Sequence, residues 1–183
     1  MIDNKIVDIV EVVNKDFELN LTNQQFSDSV NEHNLDILVE NMGRADFGQA
    51  INTQRKGLNG DLLIDGKVHN NWQIFPLQFK NNFIPNLKTE NWKTFSNVKI
   101  PAIYRAVLEV KDKPLDTFLE LKNWNKTVVF VNGFNVGRLW NIGPQKTLYI
   151  PAPLLKTGIN ELHLFELHSA GNTIEFLNKP ILL

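Results

Sequence analysis

Apolar residues in this chain do not hold a three-and-four spacing over ten positions. They fall in short runs of Val, Ile, Leu and Phe, cut at close intervals by Asn, Gly, Asp and Pro. A strand buries alternate side chains over a few residues, whereas an amphipathic helix needs a longer period-3.6 stripe, so this punctuation predicts an all-β protein. Ten strands are expected. The first five are Ile6 to Val13, Leu35 to Glu40, Gly60 to Ile64, Trp72 to Phe79 and Ala102 to Val110. The others are Thr117 to Leu121, Thr127 to Asn132, Thr147 to Ile150, Glu161 to His168 and Thr173 to Phe176. Ten strands are enough for a sandwich, and only residues 23–31 have room for two helical turns.

The sharpest local signal is Val128-Val129-Phe130-Val131-Asn132-Gly133-Phe134-Asn135-Val136-Gly137, with Asn-Gly between two β-prone runs. Both residues tolerate the positive φ of a tight turn, so a hairpin is expected at Asn132-Gly133. Pro151 and Pro153 cannot donate a ladder hydrogen bond and end the strand at Ile150. Leu154 to Asn160 then reads as a loop into the last long strand. The polar stretch from Lys80 to Asn97 is the best place for a long excursion or a boundary.

Composition excludes several function classes. A chain of 183 residues can bury one good core or two small ones, and 43% hydrophobic with 21% charged residues is a globular mixture. The net charge of -1 supplies no field to gather nucleic acid or anionic lipid, so neither partner is expected. With no cysteine there is no disulfide or thiolate metal site. Residues Met1 to Lys5 lack a signal pattern and no apolar run approaches membrane-spanning length, so a cytoplasmic location is expected. His33, His69, His163 and His168 show no paired ligand spacing, and Asp61 with Asp65 is too small a set of oxygen ligands for calcium, so neither metal nor cofactor is expected. No serine sits in a Gly-x-Ser-x-Gly elbow, and no glycine cluster joins a strand to a helix as a phosphate loop.

Four tryptophans, Trp72, Trp92, Trp124 and Trp140, are weighed as sugar platforms, because indole faces stack on the apolar side of pyranose rings. The plainer reading is that they fill the core or ends of a sandwich, and for any single one it weighs more. Trp92, in a polar stretch, is the candidate expected to be exposed.

Several segments, in order, resemble one family: Leu35-Asp36-Ile37-Leu38-Val39-Glu40-Asn41-Met42-Gly43-Arg44, Phe47-Gly48, Lys56-Gly57-Leu58 and Trp72-Gln73-Ile74-Phe75-Pro76-Leu77. The second half adds Ile100 to Tyr104, Asp116-Thr117-Phe118 and Trp124-Asn125-Lys126. Above all it adds Val131-Asn132-Gly133-Phe134-Asn135-Val136-Gly137-Arg138-Leu139-Trp140, followed by Gly143-Pro144-Gln145 and Leu148 to Pro151. Together these are similar to the β-domains that follow the catalytic barrel in β-galactosidases of glycoside hydrolase family thirty-five. The resemblance covers roughly residues 33 to 169, with Ala45-Asp46-Phe47-Gly48 standing where the family has V-N-Y-G.

The resemblance implies a jelly-roll, galactose-binding-like β-sandwich. Residues 1–56 would be the C-terminal part of a first β domain and residues 57–183 a terminal jelly roll. It also implies a parent that hydrolyses terminal β-D-galactosides with retention, through two glutamates about 5 Å apart on a barrel of about 250 residues, more than this chain can hold. Glu40, Glu109, Glu120, Glu161, Glu166 and Glu175 are scattered along expected strands and read as outward-facing, so no catalytic residue is assigned. Three roles stay open. The first is structural support of a β-galactosidase barrel, in cis or in trans, or of a homo-oligomer. The second is a stand-alone galactoside-binding module, with Trp92, Trp124, Asn135, Arg138 and Trp140 as candidate contacts. An independent enzyme ranks last, since nothing in the sequence assembles a base beside a nucleophile.

Overall fold

The computed structural model describes residues 1–10, 17–21, 32–43, 45–80, 82–88, 90, 92–96 and 98–182. They divide into two compact units, Met1–Phe75 and Pro76–Leu183, and the expected boundary after residue 56 falls inside the first. The chain is all-β, and among the described residues no helix is long and apolar enough to cross a membrane.

The second unit is a seven-stranded antiparallel sandwich. Strands β3 (Ala102–Val110), β8 (Gly158–Glu166), β5 (Lys126–Val131) and β6 (Phe134–Trp140) lie side by side in that order. The facing sheet orders β7 (Thr147–Ile150), β4 (Thr117–Lys122) and β9 (Thr173–Leu177). Successive strands switch sheets except at β5–β6, which gives the jelly-roll winding. That exception is the expected hairpin, with Asn132 at φ 49° and Gly133 at φ 83°. The expected strand boundaries here hold to within a residue or two, except that β8 begins at Gly158, three residues before Glu161.

Alternation builds the core. Val129 and Val131 on β5, Leu162 and Leu164 on β8, Leu119 on β4 and Leu148 and Ile150 on β7 all turn inward, joined by Trp124 and Leu139. Tyr104, Ala106 and Leu108 on β3 close one side, and Ile174 and Phe176 on β9 the other. The outer face of the four-stranded sheet is covered as well. Phe79 packs edge-on against Phe130 and Phe165, Phe83 stacks on Phe130 at 5.7 Å, and Trp92 sits 5.9 Å from the His163 ring. Part of the expected excursion is therefore a strap over this sheet, and covering both faces explains why β5 reads as an unbroken apolar run. Trp92 Nε1 and His163 Nδ1 are buried there without a hydrogen-bond partner among the described residues.

Two side-chain networks fix the loops. Buried Asn160 accepts from Lys156 N and Asn132 Nδ2 and donates to the Lys156 and Gly158 carbonyls. All of its hydrogen-bonding groups are used, and the loop before β8 is pinned to the hairpin. Asp116 accepts from Ala152 N and Tyr149 Oη, both at 2.8 Å; these bonds hold its carboxyl below the ordinary range and push the Tyr149 phenol up.

The first unit is sparser. Ile2 bridges Lys5 and Leu35, and Asp3 accepts from Asn34 N and pairs with His33 at 2.7 Å, which holds the Asp3 carboxyl below its ordinary value. Helix α1 (Ala50–Thr53) and the hairpin of β1 (Leu62–Ile64) with β2 (Lys67–His69) follow. Asp65-Gly66 turns that hairpin with positive φ at both residues, an Asp-Gly signal that the sequence reading passed over.

Two expectations fail here. Within Leu35 to Glu40 only Leu35 forms a bridge, and Trp72 to Phe79 contains no strand. Among the described residues neither segment has a neighbour that completes its ladder beyond the bridge at Leu35, and a run without a ladder is not a strand however high its β-propensity. Of the expected strand Ile6 to Val13, residues 6–10 form no strand with the described residues; its remainder and the expected helical stretch 23–31 lie outside them.

Candidate functional site

At one end of the sandwich two Trp-Asn steps meet. Trp124-Asn125 closes the turn from β4 to β5, and Trp140-Asn141 leaves β6. The register pairs Lys126 with Trp140, so the two asparagines emerge side by side. Asn141 Nδ2 donates to Asn125 Oδ1 at 2.8 Å, and Asn125 Nδ2 donates to Ser169 Oγ at 2.7 Å. The Lys126 ammonium lies 4.0 Å from the Trp140 ring centroid, a cation–π contact that fixes the indole plane.

Trp124, Asn125, Trp140 and Asn141 line a groove of about 600 Å³ with Lys122, Asn123, Gln145 and Lys146. Asn123 holds φ 63° at the turn, Gln145 Nε2 donates to the Thr147 carbonyl at 2.8 Å, and Lys146 Nζ donates to the Asn141 carbonyl at 2.6 Å. Lys122 pairs with Glu175 at 2.7 Å and lies 3.9 Å from Glu120, and the Glu175 hydrogen bond raises its pKa. Glu120 is the one carboxylate lining the groove.

Beneath the groove sits a residue misjudged from sequence. Glu166 is not outward-facing; it is 0% exposed. Its carboxylate accepts from Thr127 Oγ1 at 2.5 Å, Lys126 N at 3.1 Å, His168 N at 2.8 Å and Ser169 N at 3.2 Å. A buried carboxylate is tolerable only when saturated with donors in this way, and here it ties the start of β5 to the segment that carries Ser169.

The structure separates the five candidate contacts. Trp140 lines the groove, half-buried. Trp124 also lines the groove, but it is 5% exposed, packs edge-on against Tyr104 and donates from Nε1 to the Thr173 carbonyl, so it is chiefly a core residue. Trp92 is not the exposed residue expected; it is half-buried, its ring turned from the strap onto His163. Asn135 Oδ1 accepts from Gly137 N at 3.0 Å, which shapes β6, and Arg138 lies exposed on β6 opposite Val128. Neither lines the groove. The amides at Asn123, Asn125, Asn141 and Gln145 escaped the sequence reading, although the repeated Trp-Asn step was a visible signal.

Comparison with known proteins places two domains along the chain. Residues 1–78 match the family model described as the β-galactosidase first all-beta domain, and residues 101–160 match the β-galactosidase galactose-binding domain. Among similar proteins, the human beta-galactosidase-1-like protein 2 is 44% identical over 147 residues, 80% of this chain and 23% of the relative. Beta-galactosidase 1 of Dictyostelium discoideum is 40% identical over 154 residues, with the same shares of 80% and 23%. The beta-galactosidase of Canis lupus familiaris is 36% identical over 173 residues, 81% of this chain and 26% of the relative. The chain thus spans about a quarter of the length of these relatives.

Proposed function

The chain is built from the all-β domains of the β-galactosidase family, and on that premise we propose that it serves as the non-catalytic accessory region of a family-thirty-five β-galactosidase. Its role is to support a catalytic barrel, in cis or in trans, or the oligomer that barrel forms, while the barrel hydrolyses terminal β-D-galactosides. The observation that carries this reading is the serial match of the first all-beta domain and the galactose-binding domain along the chain. A second observation agrees: Ile37, Leu38, Val39, Phe47, Ile74 and Phe75 are all exposed in the first unit, as expected of a domain that completes itself against further polypeptide. The test is turnover of a nitrophenyl β-galactoside by the purified chain. No turnover is expected; turnover that survives removal of every trace of host β-galactosidase would overturn the proposal.

The groove at Trp140 favours a second reading, a carbohydrate-binding module. Titration with galactose, lactose and galactan, followed by tryptophan fluorescence, should saturate under this reading, and an unchanged signal at high ligand would remove it.

A further inference from the structure

We propose that the groove between the two Trp-Asn steps is a subsite for a neutral pyranoside, held by its ring face on Trp140 and by its hydroxyls on the surrounding amides. This rests on the carbohydrate-binding reading and gives it an address at one end of the sandwich.

Three observations converge. The first is the platform. Trp140 is half-buried at the groove wall, and the Lys126 ammonium 4.0 Å from the ring centroid occupies one face and immobilises the plane. An aromatic already fixed in place loses little rotamer freedom when a sugar packs against it. The second is the rim. Asn141 Oδ1, Gln145 Oε1 and the whole Asn123 side-chain amide make no hydrogen bond among the described residues, whereas the opposite ends of Asn141 and Gln145 are tied down by Asn125 and the Thr147 carbonyl. Half-anchored amides present fixed acceptors, and a free amide both donates and accepts, which is the pairing that vicinal hydroxyls require. The third is charge. Lys122 is engaged by Glu175 and faces Glu120, so its cation is compensated and Lys146 alone adds positive charge to the lining. The groove therefore suits a polar, uncharged ligand, and its volume of about 600 Å³ lies in the range that holds a small one.

The test is a nitrogen-15 NMR titration of the full chain with methyl β-D-galactopyranoside, lactose and cellobiose. Saturable shifts are expected at the side-chain amides of Asn123, Asn141 and Gln145 and at the Trp140 indole. Trp140→Ala should weaken binding about tenfold or more, the loss of one aromatic stacking contact. Asn123→Gly, which keeps the positive-φ turn, should weaken it by a smaller factor in a chain whose spectrum shows it folded. Trp72→Ala, in the other unit, should leave binding unchanged. Saturable binding with shifts confined to residues outside the groove, or undiminished in both groove variants, overturns this subsite and leaves the carbohydrate reading standing. Failure of the unaltered chain to saturate with all three sugars overturns both.

Discussion

Leu35 to Glu40 and Thr127 to Val131 are comparable as sequences, each a short apolar run rich in β-formers, yet they end differently. The second run is β5, hydrogen-bonded to β6 and β8, with Val129 and Val131 in the core and Phe130 under the strap. The first makes a single bridge, at Leu35, and leaves Ile37, Leu38 and Val39 exposed. What separates them is neighbours rather than residue type. A strand is stabilised by cross-strand pairs and by a face to pack on, and the described residues of the first unit give this run only the bridge at Leu35.

The largest test of that contrast removes core volume from the second unit. Leu164→Ala should cost about 2–5 kcal/mol in urea unfolding, since the cavity adds to the lost burial; a cost below about 1 kcal/mol would mean that the sandwich is as loose as the first unit. Next comes Gly171→Ala. A Cβ there would lie 2.1 Å from the Lys122 carbonyl oxygen and 2.6 Å from Trp124 Cδ1, so overpacking of about 1–3 kcal/mol is expected, read as a lowered melting temperature. Glu166→Gln replaces an acceptor-only group by one that also donates, turning an NH₂ toward backbone N–H groups; a loss of about 1–3 kcal/mol should follow, with amide exchange rising first at Lys126 and His168.

A smaller effect depends on pH. His163 is 5% exposed, and burial beneath Trp92 lowers its pKa below the ordinary 6.5, with Glu161 and Arg105 as the nearby charges. The unfolded chain therefore takes up this proton first. His163 contributes its full stability above pH 6.5 and loses it as pH falls through the lowered folded value. Stability measured between pH 7 and 5 should fall less steeply in His163→Phe than in the unaltered chain; identical slopes would show that the strap does not shield the ring. Smallest of all, Leu38→Ser should change the unfolding free energy by no more than about 0.5 kcal/mol. A larger loss would show that this exposed run is already partnered.

The sequence made the second unit legible because local and global signals agree there. Alternation, the Asn132-Gly133 turn and the proline stops all point to strands that find partners within the chain. The first unit was over-read for the opposite reason: propensity is local, but pairing is not, and nothing in Leu35 to Glu40 says that among the described residues it keeps only one bridge. The groove was half-legible. Trp140 was visible as a large aromatic beside a turn, while Asn123, Asn141 and Gln145 look like ordinary turn residues until the Lys126–Trp140 register brings them together. Glu166 was read wrongly because charge predicts exposure, and only the donors gathered around it reverse that rule.

That buried carboxylate also acts as an alignment key. Sliding β8 by one residue against β5 would send Leu162 and Leu164 outward and bring His163 and Phe165 into the core. An apolar strand can soften such an error by exchanging one hydrophobe for another. A strand that ends in Glu166 cannot, because a wrong alignment takes the carboxylate away from Thr127 Oγ1 and Lys126 N, its two donors on β5. The sandwich therefore carries its own proofreading: mispaired forms of the central strands β8 and β5 lose these bonds as well as their core contacts.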